Sequence, residues 1–291
     1  MAEKIQVTDL LSNPENALDL NSKQVKEVLY TASNVLKHQR KLIDLPFERT
    51  LVVGDVHGDL TSVKKAFHLL ESLQIDRIIF NGDVVDRGHE MIECVVAILA
   101  NLALYPEKIF YLRGNHEIRS VNSFYGFRGF VSNYWIDTYE DFQMVFGRLP
   151  IAAKLGNQAF VTHGGIPTET VYFHMMRLDL KRVDPPQGSS DWQFIWNDPD
   201  GRLSRFAPSI RGNGCYRFGR DVFNEFMELH NLEYFIRSHS VFKPGYKWHF
   251  MNRLLTVFSS KAGPYRKVTP YFAHLTEDSE IELIKVSDIK I

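Results

Sequence analysis

Five short motifs gather residue types that ligate metals and move protons. They are Gly54-Asp55-Val56-His57-Gly58, Gly82-Asp83-Val84-Val85-Asp86-Arg87-Gly88, Gly114-Asn115-His116-Glu117, His163-Gly164-Gly165 and Ser238-His239. They offer Asp55, His57, Asp83, Asn115, His163 and His239 as ligands, with Asp86, Arg87 and His116 left for other work. Mixed Asp, Asn and His ligation suits first-row divalent ions such as manganese, iron or zinc. An all-carboxylate set would suit magnesium or calcium better. Asp83 is the natural bridge. One ion would then take Asp55, His57 and Asp83, and a second Asp83, Asn115, His163 and His239. Two ions about 3.5–4 Å apart can clamp a phosphate and share a water whose pKa falls from about 15.7 towards 7. The chemistry such a set supports is phosphoester hydrolysis. A lone Gly-Asp-Xaa-His would be weak evidence, and isolated histidines such as His68, His174 and His230 are assigned no function. Here five motifs share one structural context.

That context is the end of a strand. Leu51-Val52-Val53, Ile78-Ile79-Phe80 and Ile109-Phe110-Tyr111-Leu112 read as buried strands, each running into a ligand motif. Helices are expected between them at about 61–74, where Val63, Ala66, Phe67, Leu70 and Leu73 share a face, and at about 90–104. Strand–helix alternation argues an α/β fold, and loops beyond strand ends are where such folds build sites. Strand ends are rigid enough to hold ligands closely, and the flanking glycines allow tight turns. Later strands are expected at 159–161, 234–236 and 254–258, and a helix capped by Asp221 is expected to run through His230. Two regions read as loops, around 184–188 and from Asn197 to Gly219. Upstream, Asn21 or Ser22 caps a helix expected to reach about Leu42, with Pro46 as its stop. Residues 1–20 read as a flexible lead-in, and residues 21–291 as one catalytic domain.

The chain has 291 residues, 44% hydrophobic and 24% charged, with a net charge of -1. This is an ordinary globular composition and lacks the basic excess of a general nucleic-acid binder. Two cysteines, Cys94 and Cys215, make neither a disulfide framework nor a zinc pair. The first residues hold no apolar signal core. The longest apolar stretch, Cys94 to Leu104, is too short to span a bilayer. A cytoplasmic protein with no membrane partner is expected.

The motifs resemble those of the phosphoprotein phosphatase (PPP) family of metal-dependent serine/threonine phosphatases, whose order is GDxHG, GDxVDRG, GNHE, HGG and a late Arg-x-His. This chain has all five in that order, the last as Arg237-Ser238-His239. Further similarity lies at Tyr125-Gly126-Phe127, Trp196-Asn197-Asp198-Pro199-Asp200, Arg211-Gly212, Phe218-Gly219 and 255–259, so that it covers about residues 22–285. The resemblance implies a metallophosphoesterase-type β-sandwich flanked by helices, with a dimetal centre at the strand ends. It implies phosphoserine and phosphothreonine proteins as substrates, and in-line attack by a dimetal-bridging hydroxide. His116 would be the general acid, with Asp86 orienting it. Arg87 and Arg211 would bind phosphate, with Asn115 and Tyr125 beside it, and Asp198 would support the site from behind. Two divalent ions are expected, with manganese favoured over iron or zinc.

The loop after Phe258 departs from the pattern. The family's Ser-Ala-Pro-Asn-Tyr-Cys is replaced by Ser259-Ser260-Lys261-Ala262-Gly263-Pro264-Tyr265, which puts Gly263 at the tyrosine position and leaves no cysteine. Weaker binding of natural toxins that use this loop is expected. Lys261 could favour more acidic substrates, although a solvated lysine is the plainer reading. The chain stops at Ile291, so no extended regulatory tail is expected. Two other functions compete. Hydrolysis of dinucleoside polyphosphates uses similar motifs, but its branch tends to carry His-Ala-Gly and lacks the Arg211-Gly212 region. A non-catalytic phosphate-binding scaffold would be expected to have lost a ligand or the acid, and neither is missing.

Overall fold

The computed structural model describes residues 10–72, 75–178 and 184–291. Its strands are β1 (Leu42–Leu45), β2 (Thr50–Val53), β3 (Arg77–Phe80), β4 (Ile109–Tyr111), β5 (Ala152–Leu155), β6 (Ala159–Thr162), β7 (Asp198–Pro199), β8 (Phe206–Pro208), β9 (Tyr216–Phe218), β10 (Tyr234–Arg237), β11 (Tyr246–His249), β12 (Leu254–Val257), β13 (Tyr271–Leu275) and β14 (Ile281–Lys285). They form a five-stranded sheet of order β14-β13-β2-β3-β4, a six-stranded sheet of order β1-β5-β6-β10-β12-β11, and a small sheet of order β7-β9-β8.

The two large sheets stack because their strands alternate between two apolar environments. In the five-stranded sheet, Leu51, Val53, Ile78 and Phe80 join the core under the helices, whereas Val52, Ile79, Phe110 and Leu112 join the core between the sheets. In the six-stranded sheet, Val161, Ile236, Leu255 and Val257 face inward, whereas Phe160, Phe235 and Leu254 meet an aromatic layer of Phe194, Phe223 and Phe226. With both faces covered, the central strands such as β2, β3 and β4 read as largely apolar runs.

Helices α1 (Ser22–Lys37), α2 (Leu60–Ser72) and α3 (Met91–Leu104) cover the five-stranded sheet. A capping box starts α1: the Asn21 side chain accepts from the Gln24 amide at 3.0 Å, and the Gln24 side chain accepts from the Asn21 amide at 2.9 Å. Cys94, expected as a small buried hydrophobe, is fully buried in α3. Among the described residues, no helix is long and apolar enough to cross a membrane.

Several boundaries differ from expectation. Helix α1 stops at Lys37, and Leu42–Leu45 forms an edge strand parallel to β5. Pairing with a strand more than a hundred residues away overrides the local helical pattern. The expected loose lead-in is packed from Leu10 onward: Pro14–Asp19 is a 3₁₀ turn, and Leu10, Ala17 and Leu20 are buried under the helical layer. Asp221 is not a cap. Gly219 takes that position, and Asp221 lies in the first turn of the helix Arg220–Leu229, where Ser204 Oγ donates to it. The segment expected as loop from Asn197 to Gly219 contains the three-stranded sheet. Leu73, expected on the buried face of α2, lies outside the described residues.

Candidate metal centre and phosphate site

All five motifs arrive at one edge of the sandwich. β2, β3 and β4 run parallel, as do β6, β10 and β12, so their carboxyl ends emerge side by side. The two sheets are joined at this edge by a bridge between Asp55 and Phe258. Backbone bonds hold the first two motifs together. The Val56 and His57 amides both donate to the Asp83 carbonyl, at 3.1 and 2.8 Å. The approach is so close that glycine is required: a Cβ on Gly114 would sit 2.3 Å from Asp83 Oδ1, and one on Gly82 2.5 Å from the Gly114 backbone. His57, Asp83, Asp86, Arg87 and His239 all adopt left-handed backbone, with φ of 46°, 52°, 67°, 73° and 68°. Each such residue costs about 1–3 kcal/mol. Their concentration at one edge marks a site whose side chains must be aimed.

The histidines are set for ligation. His57 Nδ1 lies 3.0 Å from the Val85 carbonyl and His163 Nδ1 lies 2.7 Å from the Asn81 carbonyl. Each carbonyl fixes a proton on Nδ1 and turns Nε2 towards the carboxylates, where it can ligate once unprotonated. His57 Nε2 lies 3.7 Å from Asp83 and 3.9 Å from Asp55, and His163 Nε2 lies 3.3 Å from Asp83 Oδ1 and 3.1 Å from Asn115 Oδ1. Among the described residues, two groups of ligand atoms converge within 4.8 Å: His57, Asp83 and His116, and Asp83, His163 and His239, all buried. Asp83 is common to both, as a bridging ligand would be. Asp55 stands just outside the groups. Its Oδ1 accepts from the His239 amide at 2.8 Å, and its Oδ2 faces His57. Oxygen and imidazole donors in this arrangement fit two divalent ions.

The electrostatics point the same way. Burial and the charge of Asp83 push Asp55 up. Burial also acts to raise Asp83, but His163 and His116 outweigh it and hold Asp83 well below the usual carboxylate range. Burial, then His116, lowers His57 to about 4, and burial lowers His239 well below its usual value. Both rings are therefore in the neutral form that ligates. Burial opposes a raised His163, yet Asp83 and Asp55 hold it up at about 9. Cations among these carboxylates would relieve their mutual repulsion and release the proton from His163.

His116 stands beside this cluster. Its Nδ1 is 2.7 Å from Asp86 Oδ2 and its Nε2 is 4.0 Å from Asp83. Burial, then Asp83, raises Asp86 to about 8, and burial lowers His116. Arg87 is exposed and lies 3.8 Å over the Tyr125 ring, which packs 5.0 Å from the His116 ring. Tyr125 thus supports both neighbours through its face. Arg211 comes from a distant loop. Its Nε donates to Asp198 at 2.5 Å and its Nη2 to Ser240 Oγ at 3.0 Å, beside His239. Asp198 also accepts from fully buried Arg237 at 3.0 Å and from Ser240 at 2.6 Å. It is held below the usual range by Arg237, His239 and Arg211, in that order, against the burial that raises it.

Two residues without an assigned role prove central to the geometry. Glu117 is fully buried, and its carboxylate accepts from the Asp83, Val84 and Gly114 amides and the Tyr111 hydroxyl, at 2.7–3.0 Å. It ties the second motif to the third. Its signal was an acid within a ligand motif just after a buried strand. The other is Tyr265. Gly263 does occupy the family's tyrosine position by count, but Tyr265 stacks on His57 at 5.3 Å and meets Phe258 at 4.8 Å. The loop after Phe258 thus places an aromatic ring against a candidate ligand.

The calcineurin-like phosphoesterase profile matches residues 48–242, which span every ligand motif. The chain belongs to the calcineurin-like phosphoesterase family. Its relatives include human serine/threonine-protein phosphatase 5, 37% identical over 241 residues, covering 81% of this chain and 47% of that protein. They also include serine/threonine-protein phosphatase T of Trypanosoma brucei brucei, 35% identical, covering 81% and 50%. The chain thus spans about half the length of these curated relatives. A Saccharomyces cerevisiae protein serine/threonine phosphatase structure, described as similar to human phosphatase PP5, superposes with a TM-score of 0.82 at 24% identity. The match covers 91% of this phosphoesterase chain and 90% of the yeast one. That likeness shows the fold, a mixed α/β metallophosphoesterase sandwich flanked by helices.

Proposed function

We propose that the chain is a protein serine/threonine phosphatase that hydrolyses phosphomonoesters. The observation that carries the proposal is the His116–Asp86 pair at 2.7 Å, placed beside two ligand groups that share Asp83. The ion sites are assigned to Asp55, His57 and Asp83, and to Asp83, Asn115, His163 and His239. When bound, the ions supply a hydroxide nucleophile near neutral pH and neutralise charge on the phosphate. Manganese is the proposed ion, with iron or zinc as substitutes.

The protein's own groups do the rest. Arg87 and Arg211 each present a planar fork to phosphate oxygens, with Asn115 alongside. Tyr125 holds Arg87 in place, and Asp198 holds Arg211. His116, when protonated on both nitrogens, donates its Nδ1–H to Asp86 and gives its Nε2 proton to the departing serine or threonine oxygen. Asp86 orients the ring and stabilises its charged form. His116 is near enough to Asp83 to count among possible ligands, but its bond to Asp86 and its contact with Tyr125 favour the acid role. Residues 21–291 are proposed to act as one catalytic unit, working in the cytoplasm on phosphoproteins, with no nucleic-acid partner.

Relatives named as serine/threonine-protein phosphatases support phosphoproteins over dinucleoside polyphosphates as substrates. The test is an assay of chelator-stripped protein with manganese restored, comparing a phosphothreonine peptide with diadenosine tetraphosphate. Metal-dependent phosphate release from the peptide is expected. Preferential cleavage of the dinucleotide would overturn the substrate assignment while keeping the metal chemistry.

A further inference from the structure

A cavity of about 260 Å³ opens where the start of α2 meets the end of β14. It has room for several waters at about 30 Å³ each. Three lysines, Lys65, Lys261 and Lys285, come to its wall from three separate segments. Ser62 also lines it. This residue is 1% exposed, and its hydroxyl meets no hydrogen-bond partner. A buried hydroxyl left unpaired is unfavourable, and a ligand oxygen would satisfy it.

One carboxylate, Asp59, stands on the wall against the three lysines. Asp59 accepts from the Ser62 amide at 3.1 Å through Oδ1 and from the Lys261 amide at 2.8 Å through Oδ2. Lys65 donates to the Val286 carbonyl at 2.8 Å, which leaves two of its three N–H groups for a ligand. Lys285 lies 3.9 Å from Asp288, with both side chains open to water, and such pairs are weak.

We infer that this cavity binds one phosphate-class oxyanion, held by the three lysines and the Ser62 hydroxyl, at a site separate from the metal centre. The bond that the Lys261 amide donates to Asp59 links the cavity wall to the loop that carries Tyr265 onto His57. An anion here steadies that loop from behind. Free phosphate and a phosphoryl group on a protein share the chemistry required, and the inference stands whether or not the chain is a phosphatase.

The test is equilibrium dialysis of the metal-loaded chain against labelled inorganic phosphate, repeated after chelation. Chelation removes the phosphate held by metals, and one phosphate per chain is expected to remain bound. In Lys65→Met/Lys285→Met the remaining site weakens by about tenfold or more, the loss of charged hydrogen bonds. Lys65→Arg/Lys285→Arg keeps it, and Lys247→Met does not change it. With chelated protein, a phosphoserine peptide that binds more tightly than phosphate identifies a protein-borne source, and one that binds no more tightly identifies the free ion. Complete loss of binding on chelation would overturn the inference. So would unchanged affinity in the double methionine variant, or failure of the arginine variant to restore binding while its thermal midpoint matches wild type.

Discussion

The two large sheets contribute to the centre in different ways. The five-stranded sheet supplies Asp55, His57, Asp83, Asp86, Arg87, Asn115 and His116 from three consecutive parallel strands within about a quarter of the chain. Short backbone bonds and the Glu117 carboxylate lock these motifs together. The six-stranded sheet supplies only His163 and His239, and its supporting groups come from far apart: Asp198, Arg211, Arg237 and Ser240. Asn81 stitches the halves by donating to the Thr162 carbonyl at 3.0 Å and to Ser238 Oγ at 2.9 Å. One half is a compact ligand block, and the other is a network that holds two imidazoles and an arginine against it.

Breaking the shared ligand tests the compact half most severely. Asp83→Asn removes the carboxylate common to both ligand groups, so metal analysis is expected to find fewer than one ion per chain. Phosphomonoester turnover falls by more than about 10⁴-fold, because hydroxide is no longer available near neutral pH. Two retained ions would refute the bridging assignment. His116→Asn leaves the ions in place and slows a phosphoserine or phosphothreonine substrate by about 10²–10⁴-fold. A chromogenic aryl phosphate suffers much less, since its leaving group needs little protonation. Equal losses on both substrates would show that His116 is not simply the acid.

The dispersed half is tested through Asp198. Asp198→Asn leaves buried Arg237 without its charged partner and costs about 3 kcal/mol of stability, read from denaturant unfolding at neutral pH. The folded pKa of Asp198 lies below its unfolded value of about 3.9. The stability its charge supplies is therefore complete above that value and lost as pH falls through the folded one. Wild type then loses stability more steeply than the variant in strong acid, and the two converge. Parallel acid profiles would show that Asp198 is not held by these arginines.

The amino-acid sequence by itself determined the strands that carry the motifs and the residue types that follow them. Asp55, Asp83, Asn115, His163 and His239 stood out as candidates because each follows a largely apolar, buried strand, and because ligand types recur after these strands. The alternation of those strands with α2 and α3 was legible for the same reason. Tertiary structure alone decided how the pieces meet. The edge strand Leu42–Leu45 and the small sheet within residues 198–218 exist through pairing with distant segments, which leaves little local trace. Arg211 is brought beside His239 by its bonds to Asp198 and Ser240, and Tyr265 is brought onto His57 by the fold of the loop after Phe258. A residue's type is written locally, but the direction in which a side chain points from a loop is set by whatever that loop packs against.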